Sequence, residues 1–203
     1  MVSALQAAQN GGKPFPVEKF VNKIPVKKHD HVLIPAGTVH CSGADTMVLE
    51  ISATPYIFTF KLWDWGRVDL DGKPRPIHLE HGAANIQWYR NTEWVHKNLI
   101  NAVAEVYSDE NGTVVRTGLH EREFLDTFRF TTSSALPVHR NGSVHMLNLV
   151  DGTRAVLRSK SDAFPPLELH YAETCIVPQA AGDYEIYSPD GSEVKVILAC
   201  VRN

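Results

Sequence analysis

"HDHVLIPAGTVHCSGADTMVLEIS", residues 29–52, holds three histidines, a Pro-Ala-Gly-Thr turn and then a run of β-formers. Val32, Leu33 and Ile34 lead into Pro35, whose fixed φ suits the first corner of a turn. Gly37 then supplies the backbone freedom a tight turn needs. The expectation is strand, turn and returning strand over residues 31–41, with a further strand over 46–52. On a returning strand alternate side chains share a face, so His40 and Ser42 would point one way and Cys41 the other. A neutral imidazole in that place is a good ligand for Zn²⁺. His29 and His31 allow two readings: ligands recruited across the turn from His40, or solvated turn residues with Asp30 bonding local backbone.

Working outward, "TMVLEISATPYIFTFKLWDW" (46–65) predicts two strands, the one over 46–52 and a second beyond the break at Thr54-Pro55. "RVDLDGKPRPIHLEHGAANI" (67–86) is dense in turn signals, and its "HLEH" is expected to end a strand. "WYRNTEWVHKNLINAV" (88–103) lacks clear periodicity and reads as a connector, while "MVSALQAAQN" (1–10) predicts a short helix stopped by Gly11-Gly12. Beyond residue 100 come "AEVYS", "TVVRTGLH", "FLDTFRFTT", "SVHMLNLVDG", "TRAVLRS", "LELHYAETCIVP", "GDYEIYS" and "EVKVILACVR", punctuated by Asn-Gly, Asp-Gly and Pro turns. Short strands in such a series predict a sandwich or closed antiparallel barrel. "HDHVLIPAGTVHCSG" and "HYAETCIVPQAAGDYEI" share a skeleton of strand, apolar pair, Pro, small-residue turn and strand, with Tyr184 near the place of His40. The expected organisation is all-β: two related barrels, residues 1–100 and residues 101–203.

Composition excludes several classes of function. The chain has 203 residues, a net charge of −3 and 43% hydrophobic residues, without a basic block that would favour nucleic acid or an anionic membrane surface. No stretch has the length and apolarity of a transmembrane helix, and the N-terminus lacks the apolar core of a signal peptide. Three cysteines without C-x-x-C spacing read as reduced, buried thiols in a cytoplasmic protein.

The Pro-x-Gly-x-x-His element resembles the second motif of cupins, small jelly-roll barrels. More closely, "HDHVLIPAGTVH", "MVLEIS", "FTFKLWDWGR" and "DGKPRPIHLE" follow one another as the corresponding pieces do in type I phosphomannose isomerases (mannose-6-phosphate isomerases). "AETCIVPQAAGDY" is similar to the end of that family's second cupin. The resemblance, to the C-terminal two-thirds of a member, implies two cupin-type jelly-roll β-barrels. The first is incomplete at its N-terminal side and the second is metal-less.

What the resemblance implies for chemistry is interconversion of mannose 6-phosphate and fructose 6-phosphate at a zinc site. In the family the metal is held by a Gln-x-His pair, a Glu and the histidine of P-x-G-T-x-H, and only His40 has a counterpart here. Gln6, Gln9, Gln87 and Gln179 are not followed by a histidine two residues later. Lys61 stands where the family often has an arginine near the substrate, and with Arg67 it is expected to hold a sugar phosphate. Lys61 would share a strand face with Trp63 and Trp65, with Asp64 turned away. Arg67 could instead pair with Asp64 or Asp69. Glu50 reads as a carboxylate inside the barrel or a structural partner, and His78 as a supporting group. His120, His139, His145 and His170 read as ordinary surface or core residues, and the four tryptophans as core. The competing readings are a metal-free cupin pair that binds a sugar or sugar phosphate without turnover, and an interaction module. Strands left open at the first barrel would be a pairing edge, so a homodimer is expected there.

Overall fold

The computed structural model describes residues 1–11, 13–52, 59–118, 121 and 123–202. The chain divides into two compact units, Met1–Ile100 and Asn101–Asn203.

The second unit is all-β. Among the described residues ten strands form two antiparallel sheets: β1 (Ala104–Asp109), β2 (Gly112–Arg116), β3 (Leu125–Thr132), β4 (Ala135–Val138), β5 (His145–Asp151), β6 (Arg154–Ser159), β7 (Leu167–His170), β8 (Thr174–Val177), β9 (Tyr184–Tyr187) and β10 (Val194–Val201). One sheet runs β1-β2-β3-β10-β5-β8 and the other β4-β9-β6-β7. From β3 to β10 the chain passes between the sheets in jelly-roll order, changing sheet at each step except from β6 to β7, which pair as neighbours in one sheet, and the β1–β2 hairpin is added at one edge. The sheets do not close into a barrel. At the β1–β2 turn Gly112 has φ 154, and a Cβ there would lie 2.1 Å from the Thr131 carbonyl oxygen, so only glycine fits.

Alternation places the core. Along β5, His145, Leu147 and Leu149 are buried while Met146 faces solvent. Val196 of β10 sits opposite Leu149 on one side and Phe130 on the other. Leu136, Leu157, Tyr184, Ile186 and Val194 complete a core with no accessible surface. Each such side chain contributes on the order of 2 kcal/mol by leaving water.

Two details depart from expectation. "LELHYAETCIVP" is two strands, because Ala172 adopts φ 65 and turns the chain between β7 and β8. β4 is a strand despite Pro137, and it lies at the edge of its sheet, where a missing N–H is tolerated.

The first unit contains helices and loops in place of the expected strands. Helix α1 is Val2–Gln9, α2 is Leu79–Asn85 and α3 is Thr92–Asn98. Among the described residues its β structure is confined to two isolated bridges, Val32 with Ile100 and Val68 with Pro74. The Pro35–Thr38 turn forms as expected, with the Thr38 N–H donating to the Pro35 carbonyl at 3.1 Å. The flanking β-formers find no ladder: Met47, Val48, Leu49 and Ile51 stay exposed, as does Glu50, which therefore faces no barrel interior. The break expected at Thr54-Pro55 lies outside the described residues. "HLEH" opens α2 instead of ending a strand, and the expected connector holds α3, capped by Asn91, whose Oδ1 accepts from the Trp94 N–H at 3.0 Å. Leu5 of α1, Phe15 and Leu79 of α2 bury against one another beside Leu62, Trp63 and Ile77, forming this unit's own small core.

Candidate functional site

The segment from Lys61 to His78 folds back on itself, because Trp65 and Gly66 both take positive φ, 57 and 67, and reverse the chain. Its two arms are stitched by the Lys61 N–H donating to His78 Nδ1 at 3.2 Å and the His78 N–H donating to the Lys61 carbonyl at 2.8 Å. Farther along, the Arg75 N–H donates to the Arg67 carbonyl at 3.2 Å. His78 thus carries its ring proton on Nε2, since Nδ1 accepts.

The turn gathers cations around one carboxylate. Asp64 accepts two bonds from the fork of Arg75, Nε to Oδ2 and Nη2 to Oδ1 (2.9 Å). Lys61 Nζ lies 3.7 Å from Asp64 Oδ2. The hydrogen bond from Arg75 lowers the Asp64 pKa, and the charges of Arg75, Lys61 and Arg67 add to this. Arg75 is raised in turn, chiefly by the same bond, with Asp69 a lesser contributor. Lys61, Arg67 and Arg75 therefore face Asp64 and Asp69, an excess of one positive charge. The strand expected at Lys61 is absent, and Lys61 meets Asp64 instead of pointing away from it. The carboxylate is held by Arg75, a partner that the reading of the sequence missed. Arg67 stays exposed. The tryptophans are split: Trp63 packs on the small core and meets Trp65 at a tilt, 4.3 Å between ring centroids, whereas Trp65 and Trp88 are exposed.

His40 is exposed, at the end of the Pro35–Thr38 turn. Its Nδ1 is 2.8 Å from the Thr38 carbonyl oxygen, which can only accept, so the proton sits on Nδ1 and the Nε2 lone pair is presented outward. That tautomer, with a backbone carbonyl behind it, suits one metal ligand. Asp30 accepts from the Lys27 N–H at 2.9 Å, as a turn residue, and His29 holds φ 70. Among the described residues no group of three or more His, Cys, Asp or Glu side chains is gathered where an ion could be held. One imidazole does not make a zinc centre, and the residues present do not fit the metal on their own.

In the second unit the histidines have structural partners. His139 pairs with Asp183 at 2.9 Å and His170 with Glu173 at 3.1 Å, while His120 lies outside the described residues. His145 is buried: Nε2–H donates to Asn141 Oδ1 (3.2 Å) and Nδ1 accepts from the Tyr184 hydroxyl (2.9 Å). Burial, with the Arg140 charge, pushes its pKa down to about 4. Burial raises Tyr184 well above the ordinary phenol range. An open cavity of about 260 Å³ beside His145 is lined by Val106, Val114, Phe128, Phe130 and Leu198, and it has neither Lys nor Arg in its wall. It does not suit a phosphate. Cys41 is exposed, contrary to the expectation of buried thiols, whereas Cys200 is buried and Cys175 partly so. Among the described residues no helix is long and apolar enough to cross a membrane.

No family model matches the chain. A mannose-6-phosphate isomerase of Streptococcus mutans is 35% identical over 63 residues, 31% of this chain and 20% of that protein. The mannose-6-phosphate isomerase ManA of Bacillus subtilis is 22% identical over 66% of this chain and 40% of its own length. A putative mannose-6-phosphate isomerase of the same bacterium, YvyI, is 22% identical over 83% and 49%. The chain thus spans less than half the length of the curated relatives it matches. Among solved structures, the mannose 6-phosphate isomerase from Bacillus subtilis aligns with 69% of this chain and 39% of its own, at 13% identity and TM-score 0.51, a likeness of fold.

Proposed function

Because this chain is similar to mannose-6-phosphate isomerases, to a C-terminal portion of them and with a cupin-type fold, we propose that it is a sugar-phosphate isomerase-like protein. Its reaction would be aldose–ketose isomerisation of a hexose 6-phosphate, mannose 6-phosphate to fructose 6-phosphate. A proton leaves the carbon beside the carbonyl and one returns to the neighbouring carbon. The observation that carries the reading, beyond the similarity, is the cationic turn. Lys61, Arg67 and Arg75 crowd a single primary carboxylate, and their surplus charge suits a phosphate dianion that fixes the sugar. Lys61 offers a mobile point charge, and Arg67 an exposed planar fork. His40 contributes an outward Nε2 acceptor, suited to a zinc ion whose remaining ligands would come from residues other than those described. A cytoplasmic location and a homodimer belong to the same proposal, although the first unit shows no open strand edge among the described residues on which the pairing was expected.

A second reading, binding of the sugar phosphate without turnover, is favoured by the absence, among the described residues, of further metal ligands gathered with His40. Calorimetric titration with mannose 6-phosphate and with mannose tests both. Phosphate-dependent binding that weakens with salt is expected, falling roughly tenfold in Lys61→Ala and in Arg67→Ala, the factor for a charged hydrogen bond of about 1.5 kcal/mol. Equal affinity for the two sugars would sink both readings. Binding with no fructose 6-phosphate formed in a coupled assay with added Zn²⁺ would select the second.

A further inference from the structure

The turn that presents His40 is held from outside by one side chain. Arg90 Nη1 donates to the carbonyls of Pro35 (2.9 Å) and Ala36 (2.7 Å) and to Thr38 Oγ1 (2.6 Å). Thr38 Oγ1 in turn donates to the Pro35 carbonyl at 2.7 Å, and the Thr38 carbonyl accepts from His40 Nδ1. The hydroxyl and the carbonyl of a single residue therefore link the guanidinium to the imidazole.

Arg90 is itself fixed. Its guanidinium carbon lies 5.5 Å from the centre of the Tyr89 ring and 5.3 Å from that of Trp94, and these two rings meet edge to face at 5.7 Å. Trp94 is positioned by the Asn91 cap of α3. The turn is also seated on the backbone before Arg90. The Gln87 N–H donates to the Gly37 carbonyl at 3.0 Å, and a Cβ on Gly37 would lie 2.6 Å from the Asn85 carbonyl oxygen. Arg90 Nε is buried without a hydrogen-bond partner, which costs stability, so the polar grip of the side chain is the one made by Nη1.

We infer that Arg90 is a positioning residue for His40: through Thr38 it holds the imidazole in the Nδ1–H tautomer and keeps the Nε2 lone pair facing outward. Free imidazole side chains in water favour the opposite tautomer, so this arrangement has to be imposed. The functional consequence rests on the reading of His40 given above; the tautomer does not.

Long-range ¹⁵N–¹H NMR of the His40 ring in the 203-residue chain, at a pH where the ring is neutral, tests the inference. In the parent chain Nδ1–H should predominate. In Arg90→Ala the ratio of Nδ1–H to Nε2–H should fall roughly fivefold, the factor that one net hydrogen bond represents. Arg90→Lys, which keeps a donor but loses the planar fork, should fall between. Thr38→Val removes the relay hydroxyl at constant shape and decides the matter if Arg90→Ala does not fold. An unchanged ratio in folded Arg90→Ala, or in Thr38→Val where that variant decides, overturns the inference. Loss of the tautomer bias together with undisturbed sugar-phosphate binding and turnover in His40→Ala would leave Arg90 as the positioning residue and refute the role given to His40.

Discussion

His145 is a base that the fold keeps neutral. Its core site desolvates the imidazolium, Arg140 repels it, and both ring nitrogens already have neutral partners in Asn141 and Tyr184. The folded pKa is about 4 and the unfolded value about 6.5, so between these the unfolded chain binds more protons. Stability is therefore full above the unfolded value and drains away as pH falls from about 6.5 towards 4, by at most about 3 kcal/mol. Urea melts at a series of pH values should show this slope, and His145→Gln, which cannot charge, should flatten it. The sequence marked His145 as a core or surface residue without choosing, because burial is decided by strands far away in the chain. The Pro35–Thr38 turn ahead of His40 was readable from P-x-G-T-x-H, but the returning strand expected to carry His40 does not form. The pairing of Asp64 with Arg75 was not readable, since it depends on positive φ at Trp65, which no local rule assigns to a tryptophan. Arg90 was equally hidden, because its partners lie more than fifty residues away.

At the level of elements, the second unit was largely legible. Alternation with Asn-Gly and Asp-Gly turns marks most of its strands, and the buried faces follow the period of two. The failures have local causes. Pro137 disguised β4, and a turn at Ala172 without glycine hid the break between β7 and β8. Helix α3 spans only 7 residues, too few for a period to show, and its cap was the better signal. Replacing that cap, Asn91→Ala, should cost about 1 kcal/mol in thermal or urea melts. The same change loosens Trp94 beneath Arg90. Leu149→Ala, in the jelly-roll core, should cost about 2–5 kcal/mol by the same measurement. In the first unit β-formers were read as strands, yet a strand needs a neighbour, and residues 46–52 have none among the described residues. Their amides should exchange with solvent far faster than those of β5 and β10.

For the whole molecule, the two units differ in what holds them. The second has two layered sheets and a continuous core of its own, whereas the first, among the described residues, relies on three short α-helices and a few apolar contacts. A fragment of residues 101–203 should therefore fold alone, giving a dispersed amide NMR spectrum and a cooperative melt. A collapsed, poorly dispersed spectrum would show that the sheets depend on the first unit. The exposed thiol beside His40 has a practical use. Burial raises the pKa of both Cys175 and Cys200, so little thiolate forms there near neutral pH, while Cys41 stands open to reagent. A maleimide dye should couple once per chain, at Cys41, and its emission would then act as an optical reporter one residue from the imidazole, reading out ligand arrival in real time.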